Sequence, residues 1–307
     1  MNLTPRLHEA FQRQLNDWQD AKKRYEALKD VEVRRLAFSD APLWFQHNPA
    51  RAVSTAAKTD PESIKKRPCF LCSSNRPAEQ TTLEEFGTYE VLLNPFPIFE
   101  FHLTIVDKQH RHQDAIDFSD MAQFAAIHPG LTTFYNGSRS GASAPDHLHF
   151  QATRTESLPL CDYLLSNPGK QLAMQDGCSF YIVDSPAAKA LHVISKEFSQ
   201  LIEKWLTLLL PQNPDDGAPD KSMRNLLIWI DDKGFLHTVL YPRSKHRPDC
   251  YNVGRLVSPG AVDMTGLLIL PKKEDFDEMS PFEAARILDE VSYDFTTSTA
   301  LKNLLLQ

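Results

Sequence analysis

The sequence predicts an α+β protein in which antiparallel sheets pack against helices and the two halves of the chain are related. Short apolar runs bounded by turn residues alternate with amphipathic helical patterns. The order helix, strand, strand occurs over residues 119–153 and again over residues 195–241. We therefore predict two related halves, of which the second is degenerate.

Length and composition fit an ordinary folded protein. The chain has 307 residues, of which 42% are hydrophobic, enough for one large core or two fused cores. The net charge of −7 argues against a nucleic-acid partner, because such proteins usually present a basic face. No apolar run approaches the roughly 20 residues that span a bilayer, and no signal sequence is recognisable, which predicts a cytoplasmic protein without a membrane partner.

Residues 1–45 are predicted to form an N-terminal helix and a strand. Leu7, Phe11, Leu15 and Trp18 recur near helical spacing between residues 4 and 29, and residues 31–38 alternate weakly as a strand does. The apolar face of this helix predicts internal packing or a homodimer contact.

Residues 46–160 are predicted to be the catalytic half. Residues 46–82 are rich in Pro, Ser, Thr, Asn and Lys, which indicates an irregular segment. Beyond it we predict strands at 89–93, 101–106, 131–135 and 147–153, with a helix at 119–127 that Ser119 caps.

Residues 161–307 are predicted to form the second half. Its expected elements are strands at 180–183, 225–230, 235–241 and 266–270, with helices at 195–210 and 281–291. Aligning the repeated order places His237, Val239 and Tyr241 where the first half has His147, His149 and Gln151. A competing alignment matches His102 and His110 with His237 and His246, but it needs a gap, so we expect one active centre per chain.

The segment with the most chemistry is the strand at 147–153. Because strand side chains alternate between faces, His147, His149 and Gln151 are expected on one face, with apolar residues on the other. The preceding loop, residues 136–143, is rich in glycine and serine, as close approach of a phosphate to the backbone requires. Taken alone, such a loop is an ordinary turn, and such histidines are ordinary hydrogen-bonded strand residues.

Together, the loop Gly141-Ala142-Ser143 and the run 147–151 resemble the galactose-1-phosphate uridylyltransferase branch of the histidine-triad superfamily. Residues 147–152, His-Leu-His-Phe-Gln-Ala, are especially similar to the GDP-L-galactose phosphorylases, and the dinucleoside tetraphosphate phosphorylases belong to the same branch. Residues 48–51 and 67–76 also resemble the uridylyltransferases, so the resemblance covers residues 46–153. It implies a HIT-like fold.

The resemblance implies roles for individual residues. His149 matches the nucleophile, which forms a covalent nucleotidyl-histidine, and Gln151 matches the glutamine that accompanies it. Asn136, Gly141 and Ser143 are expected to contact phosphate. Arg51 and Asn94 are expected to contact the nucleotide, although a surface arginine and a turn asparagine are common for other reasons.

A metal site is the next expectation. Cys69 and Cys72 form a Cys-x-x-Cys pair, which can share one tetrahedral zinc but needs two further ligands. The resemblance implies that these are His110 and His147, with His112 as an alternative to His110, and that the zinc is structural. Two reduced structural thiols are the other interpretation.

These features predict a nucleotidyltransferase or phosphorylase. Its donor would be a small-molecule nucleotide, either a nucleotide sugar or a dinucleoside polyphosphate, and its acceptor phosphate or a sugar phosphate. The alternatives are a noncatalytic nucleotide-binding protein and a hydrolase, which Gln151 disfavours because relatives with histidine there tend to hydrolyse. A basic cluster is expected either to bind the second anion or to be a solvated surface; it consists of His237, Arg243, Lys245, His246 and Arg247.

Overall fold

Ten strands of the described residues form one antiparallel sheet that runs through both predicted halves. The computed structural model describes residues 5–56, 59–185 and 188–306. The strands, in chain order, are β1 (Glu32–Phe38), β2 (Ala41–His47), β3 (Glu84–Phe86), β4 (Tyr89–Leu93), β5 (His102–Asp107), β6 (Leu131–Asn136), β7 (His149–Arg154), β8 (Lys170–Gln175), β9 (Cys178–Ser185), β10 (Ala188–Ser195), β11 (Arg224–Ile230), β12 (Leu236–Pro242) and β13 (Leu267–Leu270).

Helices cover both faces of this sheet. They are α1 (Pro5–Asp17), α2 (Gln19–Glu26), α3 (Ala52–Thr55), α4 (Pro61–Lys66), α5 (Phe118–Ile127), α6 (Pro159–Ser166), α7 (Gln200–Leu208), α8 (Asp249–Asn252), α9 (Ala261–Met264), α10 (Lys273–Glu278), α11 (Pro281–Val291) and α12 (Thr299–Leu305). Within the described ranges, no helix combines the length and the apolar composition that crossing a membrane requires.

The order of the strands shows that the two halves are related. The sheet runs β3-β4-β5-β7-β6-β11-β12-β10-β9-β8, so each half has the same order when it is read outward from the β6–β11 pair. Helix α5 precedes β6, and α7 precedes β11. The prediction of two related halves is confirmed, and β12 takes the place of β7 as the preferred alignment requires. The boundaries at residues 45 and 160 stay predictions.

Side chains that alternate between the two faces of the large sheet divide the core into two layers. Leu226 and Ile228 of β11 pack under α1, α5, α7 and α12, where Trp205 stacks on Phe180 with 4.1 Å between ring centroids. Leu227 and Trp229 point to the opposite layer. That layer contains α6, α9, α10 and α11 together with the three-stranded sheet β1-β2-β13. Both faces of the large sheet are therefore buried.

Several predicted boundaries were wrong for local reasons. The helix expected over 4–29, whose first residue lies outside the described part, is interrupted at Trp18, which has an extended ψ of 90°. The helix expected from Ser119 begins at Phe118, because the side chain of Asp117 accepts the N–H of Ser119 and is the N-cap. Strand β7 begins at His149, so His147 precedes it.

Several strands and one helix had no local sequence pattern from which they could be predicted correctly. Strands β2, β3, β8 and β10 were not predicted, and residues 188–195 belong to β10. The helix expected over 195–210 is the shorter α7, whose N-cap is Ser199. Strand β2 pairs in parallel with β13 from the far end of the chain. That pairing is a tertiary contact with no local pattern in the sequence.

Arg243 links the strands to the loops of the second half. Its side chain is fully buried. The guanidinium donates to Asn225 Oδ1 and to the carbonyl oxygens of Val291, Pro259, Lys245 and His246, at 2.9 Å for Pro259 and 3.1 Å for Val291 and His246. Although burial lowers its pKa to about 10, Arg243 is charged at neutral pH. Every donor group of this guanidinium is thus used inside the protein.

We expect Arg243→Met to lower the free energy of unfolding by about 3 to 5 kcal/mol, because it leaves buried oxygen atoms without donors. Urea unfolding measures this change. Lys245→Met is the matched control: Lys245 pairs with Asp249 and Glu290 near the surface, where ion pairs contribute little. Equal stability of the two variants would contradict the structural role of Arg243.

Candidate active site

A cavity of about 540 Å³ lies where the two halves of the large sheet meet. It is lined by strands of the first half and by residues 258–263 of the second. The sequence-predicted residues that line it are His149, Gln151, Arg51, Asn94, Asn136, Gly141 and Ser143. The structure therefore brings together all predicted catalytic and substrate-binding residues.

His149 is the first residue of β7 and is held there by a buried glutamine. Gln113 Oε1 accepts the backbone N–H of His149, and Gln113 Nε2 donates to the carbonyl oxygens of His149 and Asn136. Gln113 is fully buried. It fixes the start of β7 against the end of β6. Sequence reasoning missed this residue, since a glutamine between His112 and Asp114 in a loop carries no motif.

The hydrogen bonds of the His149 ring determine which nitrogen is available for chemistry. Its Nδ1 lies 2.8 Å from the carbonyl oxygen of His147, so Nδ1 carries the proton and donates. Nε2 then keeps its lone pair. Burial lowers the pKa of His149 to about 4, so the imidazole is neutral near pH 7. A neutral imidazole with an unprotonated Nε2 is a competent nucleophile.

Gln151 lies two residues further along β7 and is oriented by two donors. Ile98 N donates to His102 Nδ1, so the proton of the His102 ring is on Nε2, which donates to Gln151 Oε1 at 2.9 Å. Asn94 Nδ2 donates to the same oxygen at 3.2 Å. Because its oxygen is occupied, Gln151 presents its N–H groups as the donors for a ligand in the cavity.

His102 was not predicted as a site residue. It is fully buried in β5, and burial together with the nearby charge of Arg51 lowers its pKa to about 3. Its only sequence signal is a histidine at the start of an apolar strand. The pairing of Thr104 in β5 with Gln151 in β7 brings the side chains of His102 and Gln151 together. This strand register arises only from the packing of distant segments of the chain.

The loop before β7 needs glycine where it meets the second half. Gly141 has a φ of +97°, and a Cβ there would lie 2.9 Å from the Cα of Gly260. Asn136 Oδ1 accepts the N–H of Ala261 at 2.7 Å and an N–H of Asn225 at 2.8 Å. A ligand contact of Asn136 therefore comes from Nδ2. Ser143 lines the cavity beside this loop.

Arg51 is half-buried at the cavity wall. It donates to the carbonyl oxygen of Phe96 at 2.6 Å. Burial lowers its pKa to about 10 while the Asp263 carboxylate raises it, so Arg51 is a cation at neutral pH. Asp263, which sequence reasoning also missed, accepts N–H groups from Gly260 and Ile269. Arg51 thus brings a positive charge to the cavity, and the Asp263 carboxylate that acts on it is already hydrogen-bonded.

A Cys/His cluster adjoins the cavity. The ligand atoms of Cys69, Cys72, His110 and His147 all lie within 4.8 Å of one another. Cys69 Sγ is 3.3 Å from His147 Nδ1, and Cys72 Sγ is 3.2 Å from His110 Nδ1. Ligand atoms around a tetrahedral zinc lie about 3.3 to 3.8 Å apart, given bonds of about 2.0 to 2.3 Å. The donor set and its spacing fit a metal ion.

Two further features suit metal binding. His147 Nε2 donates to the carbonyl oxygen of Asp107 at 2.8 Å, which leaves Nδ1 unprotonated toward the cysteines. Although burial alone would raise the pKa of Cys69, its contact with His147 and the backbone N–H groups of Leu71 and Cys72 lower it below its usual value. His112 is not in the cluster, because its Nδ1 accepts the N–H of Asp114.

The His147 ring faces the Cys/His cluster through Nδ1. The prediction that His147 shares a strand face with His149 and Gln151 was therefore wrong.

The structure divides the predicted basic cluster. His246 and Arg247 line the cavity. Arg243 is buried, and the Lys245 side chain pairs with acids on the surface. His237 lies elsewhere, stacked on Trp229 and 3.0 Å from the Nε2 of His192. The cluster is therefore not one site.

Comparisons with known proteins bear on the fold. The profile of a family described as "Domain of unknown function (DUF4922)" matches residues 10–154. No curated protein matches the chain in sequence. Among solved structures, yeast Ap4A phosphorylase Apa2 in complex with AMP is similar with a TM-score of 0.58 and 16% identity, over 91% of this chain and 96% of that chain. Its complex with Ap4A gives a TM-score of 0.57 and 16% identity, over 90% and 96% of the two chains.

These similarities define the class of protein by its fold. The chain is an α+β protein with a HIT-like fold, as the resemblance in the sequence implied. More particularly, it has the fold of the Ap4A phosphorylase Apa2 over nearly the whole length of both chains.

The buried histidines make a prediction about pH. Burial lowers the pKa of His102 to about 3 and of His149, His192 and His246 to about 4, below the ordinary value of 6.5. The unfolded chain therefore binds protons between about pH 6.5 and 4 that the folded chain does not, and stability falls as the pH falls. Asp263 opposes this, since burial raises its pKa to about 6.

We therefore expect the free energy of unfolding to decrease from pH 7 to pH 5, by about 1.4 kcal/mol per pH unit for each net proton. Urea unfolding at several pH values measures the slope. His149→Gln should reduce the slope by about one proton. A slope that is flat in the wild type would contradict the neutral state of these imidazoles.

Proposed function

We propose that the protein is a nucleotidyltransferase of the phosphorylase type. One observation carries the proposal: His149 donates from Nδ1 to a backbone carbonyl, and its unprotonated Nε2 is left in a cavity that Gln151 and Arg51 also line. The shared fold with an Ap4A phosphorylase supports it. The donor is a dinucleoside polyphosphate or a nucleotide sugar, and the acceptor is phosphate or a sugar phosphate.

The reaction has two displacements at the α-phosphorus of the nucleotide. In the first, the lone pair of His149 Nε2 forms a bond to phosphorus, and the bond to the leaving phosphate oxygen breaks. The N–H groups of Gln151 and Asn136 and the charge of Arg51 stabilise the negative charge on the phosphate oxygens. In the second, the acceptor oxygen attacks the same phosphorus, and Nε2 leaves with its electron pair. Nδ1 keeps its proton throughout.

Covalent labelling tests this function. We expect a nucleotide-sized mass increase on the wild type after incubation with one member of a panel of nucleotide sugars and dinucleoside polyphosphates. His149→Ala should carry no adduct and should lose turnover, because it lacks the attacking nitrogen. Intact mass spectrometry measures the adduct and identifies the base.

The matched control is His112→Ala, since His112 is exposed and outside both the cavity and the Cys/His cluster. It should be labelled as the wild type is. Absence of an adduct with every donor, together with nucleotide binding that survives His149→Ala, would favour a noncatalytic binding protein. Faster nucleotide release without phosphate than with it would favour a hydrolase.

We also propose that the Cys/His cluster binds structural zinc. Cys69, Cys72, His110 and His147 would hold the ion with four protein ligands, which leaves no open position for substrate. When bound, zinc would supply a rigid cross-link between the knuckle, residues 69–72, and the residues that precede β7. Phe70 and Leu71 of the knuckle line the cavity, so the cross-link would position part of the cavity wall.

We expect about one equivalent of zinc in protein purified without a chelator, measured by elemental analysis. Cys69→Ser should lose the metal and raise the Michaelis constant for the nucleotide, because the knuckle is no longer held. Cys178→Ser is the matched control, since Cys178 is a buried cysteine outside the cluster and should keep zinc. Less than a tenth of an equivalent in the wild type would reject the site.

A cytoplasmic location and a homodimer stay predictions of the sequence.

A further inference from the structure

One wall of the cavity is built by the half of the chain that lacks the nucleophile. His246 and Arg247 lie after β12, and Ser258 and Gly260 lie before α9. All four line the cavity that contains His149. The donor chemistry described above uses none of them.

This wall is held in place by a buried cation. Arg243 donates to the carbonyl oxygens of Lys245 and His246 on one segment and of Pro259 on the other. It therefore fixes the backbone of both segments at once. Because all of its donor groups point to these oxygens and to Asn225 and Val291, its role is to position the wall.

Arg247 joins the same two segments through its side chain. Its Nε donates to Ser258 Oγ at 3.1 Å, its Nη2 donates to the carbonyl oxygen of Thr55 at 3.4 Å, and its guanidinium stacks over the ring of Tyr251 at 4.2 Å. A guanidinium oriented in this way keeps its positive charge in the cavity and suits contact with an oxyanion. Arg247 is thus oriented by side chains on two sides while it faces the cavity.

The wall meets the first half beside the loop that precedes His149. The N–H of Ala261 donates to Asn136 Oδ1 at 2.7 Å, and Gly141 is so close to Gly260 that a Cβ would lie 2.9 Å from its Cα. An anion on the wall would therefore share the cavity with a nucleotide on His149. This is the arrangement that a second substrate needs.

The charge of the wall is positive. After burial, the causes that lower the pKa of His246 to about 4 are the charges of Arg247, Arg243 and Arg139. Asp263 also lines the cavity, but its carboxylate oxygens accept N–H groups from Gly260 and Ile269. The guanidinium charges around His246 thus favour an anion.

We propose that Arg247 and His246 form the acceptor subsite, which binds the phosphate group of inorganic phosphate or of a phosphate monoester. This inference rests on the proposed function, and it assigns donor and acceptor to different halves of the chain. The acceptor's phosphate oxygen forms a bond to the α-phosphorus of nucleotidyl-His149, and the P–N bond to Nε2 breaks. The electron pair returns to Nε2, and the product leaves as a nucleoside diphosphate when the acceptor is inorganic phosphate, or as a nucleoside diphosphate ester when it is a phosphate monoester.

Measuring the two half-reactions separately tests the subsite. The wild type and Arg247→Gln are first loaded with nucleotide on His149, and loading is followed by intact mass. Excess donor is removed, and either inorganic phosphate or glucose 1-phosphate is added. We expect Arg247→Gln to reach full loading, but more slowly than the wild type, because the donor's leaving phosphate departs from the position that the acceptor phosphate later takes. The acceptor concentration for half-maximal discharge should be raised about ten- to a hundredfold.

Two further variants separate a binding role from a structural one. Arg247→Lys keeps the charge but loses the planar fork, so it should restore part of the discharge that Arg247→Gln loses. Lys245→Gln removes a charge from the same segment outside the cavity and should load and discharge as the wild type does. Thermal unfolding of each variant checks that the fold is kept.

The outcomes distinguish this inference from the proposed function. Discharge of Arg247→Gln at the wild-type rate to both acceptors, or a defect in loading alone, would overturn the subsite while leaving the function intact. If wild-type His149 is never labelled, the function fails, and calorimetric titration with inorganic phosphate then decides the subsite. Binding that Arg247→Gln weakens tenfold supports it, and unchanged or absent binding overturns it. Whichever acceptor discharges the wild type faster identifies the source of the phosphate group.

Discussion

The pairing of β6 with β11 is the interaction on which the rest of the structure depends. It joins two five-strand units of the same order into one sheet, and at its end Asn136 lies opposite Asn225. Asn225 donates to Asn136 Oδ1 and to the carbonyl oxygen of Ser140, and Arg243 donates to Asn225. Buried polar groups are costly unless each has a partner, so this network fixes one relative position of the halves. The cavity exists only in that position.

Burial decides the protonation of the site. His149 and His102 are enclosed in the first half of the sheet, where a charged imidazole would be poorly solvated. Each ring is therefore neutral, and a single backbone group determines its tautomer: the carbonyl of His147 for His149, and the N–H of Ile98 for His102. The same desolvation that makes Nε2 of His149 a nucleophile reduces stability at low pH. Reactivity and pH sensitivity thus have one physical cause.

The relation between the halves explains why one sheet carries different chemistry at its two ends. The strand β12 takes the place of β7, yet it carries Val239 and Tyr241 in the apolar layer where β7 has His149 and Gln151. The second half has kept the backbone arrangement and lost the nucleophile. What it adds to the cavity comes from the segments after β12 and before α9, which follow the sheet in the chain and return to the first half.

The sequence by itself determined the local features. Short apolar runs bounded by turn residues predicted most strands of the large sheet. The Cys-x-x-Cys spacing and the His-x-His-x-Gln run identified Cys69, Cys72, His149 and Gln151, because these patterns depend only on neighbours along the chain. The tertiary structure alone decided what depends on distant partners. It placed Gln113 under His149, His102 behind Gln151 and Arg247 in the cavity, since strand register and buried hydrogen bonds arise only when remote segments pack together.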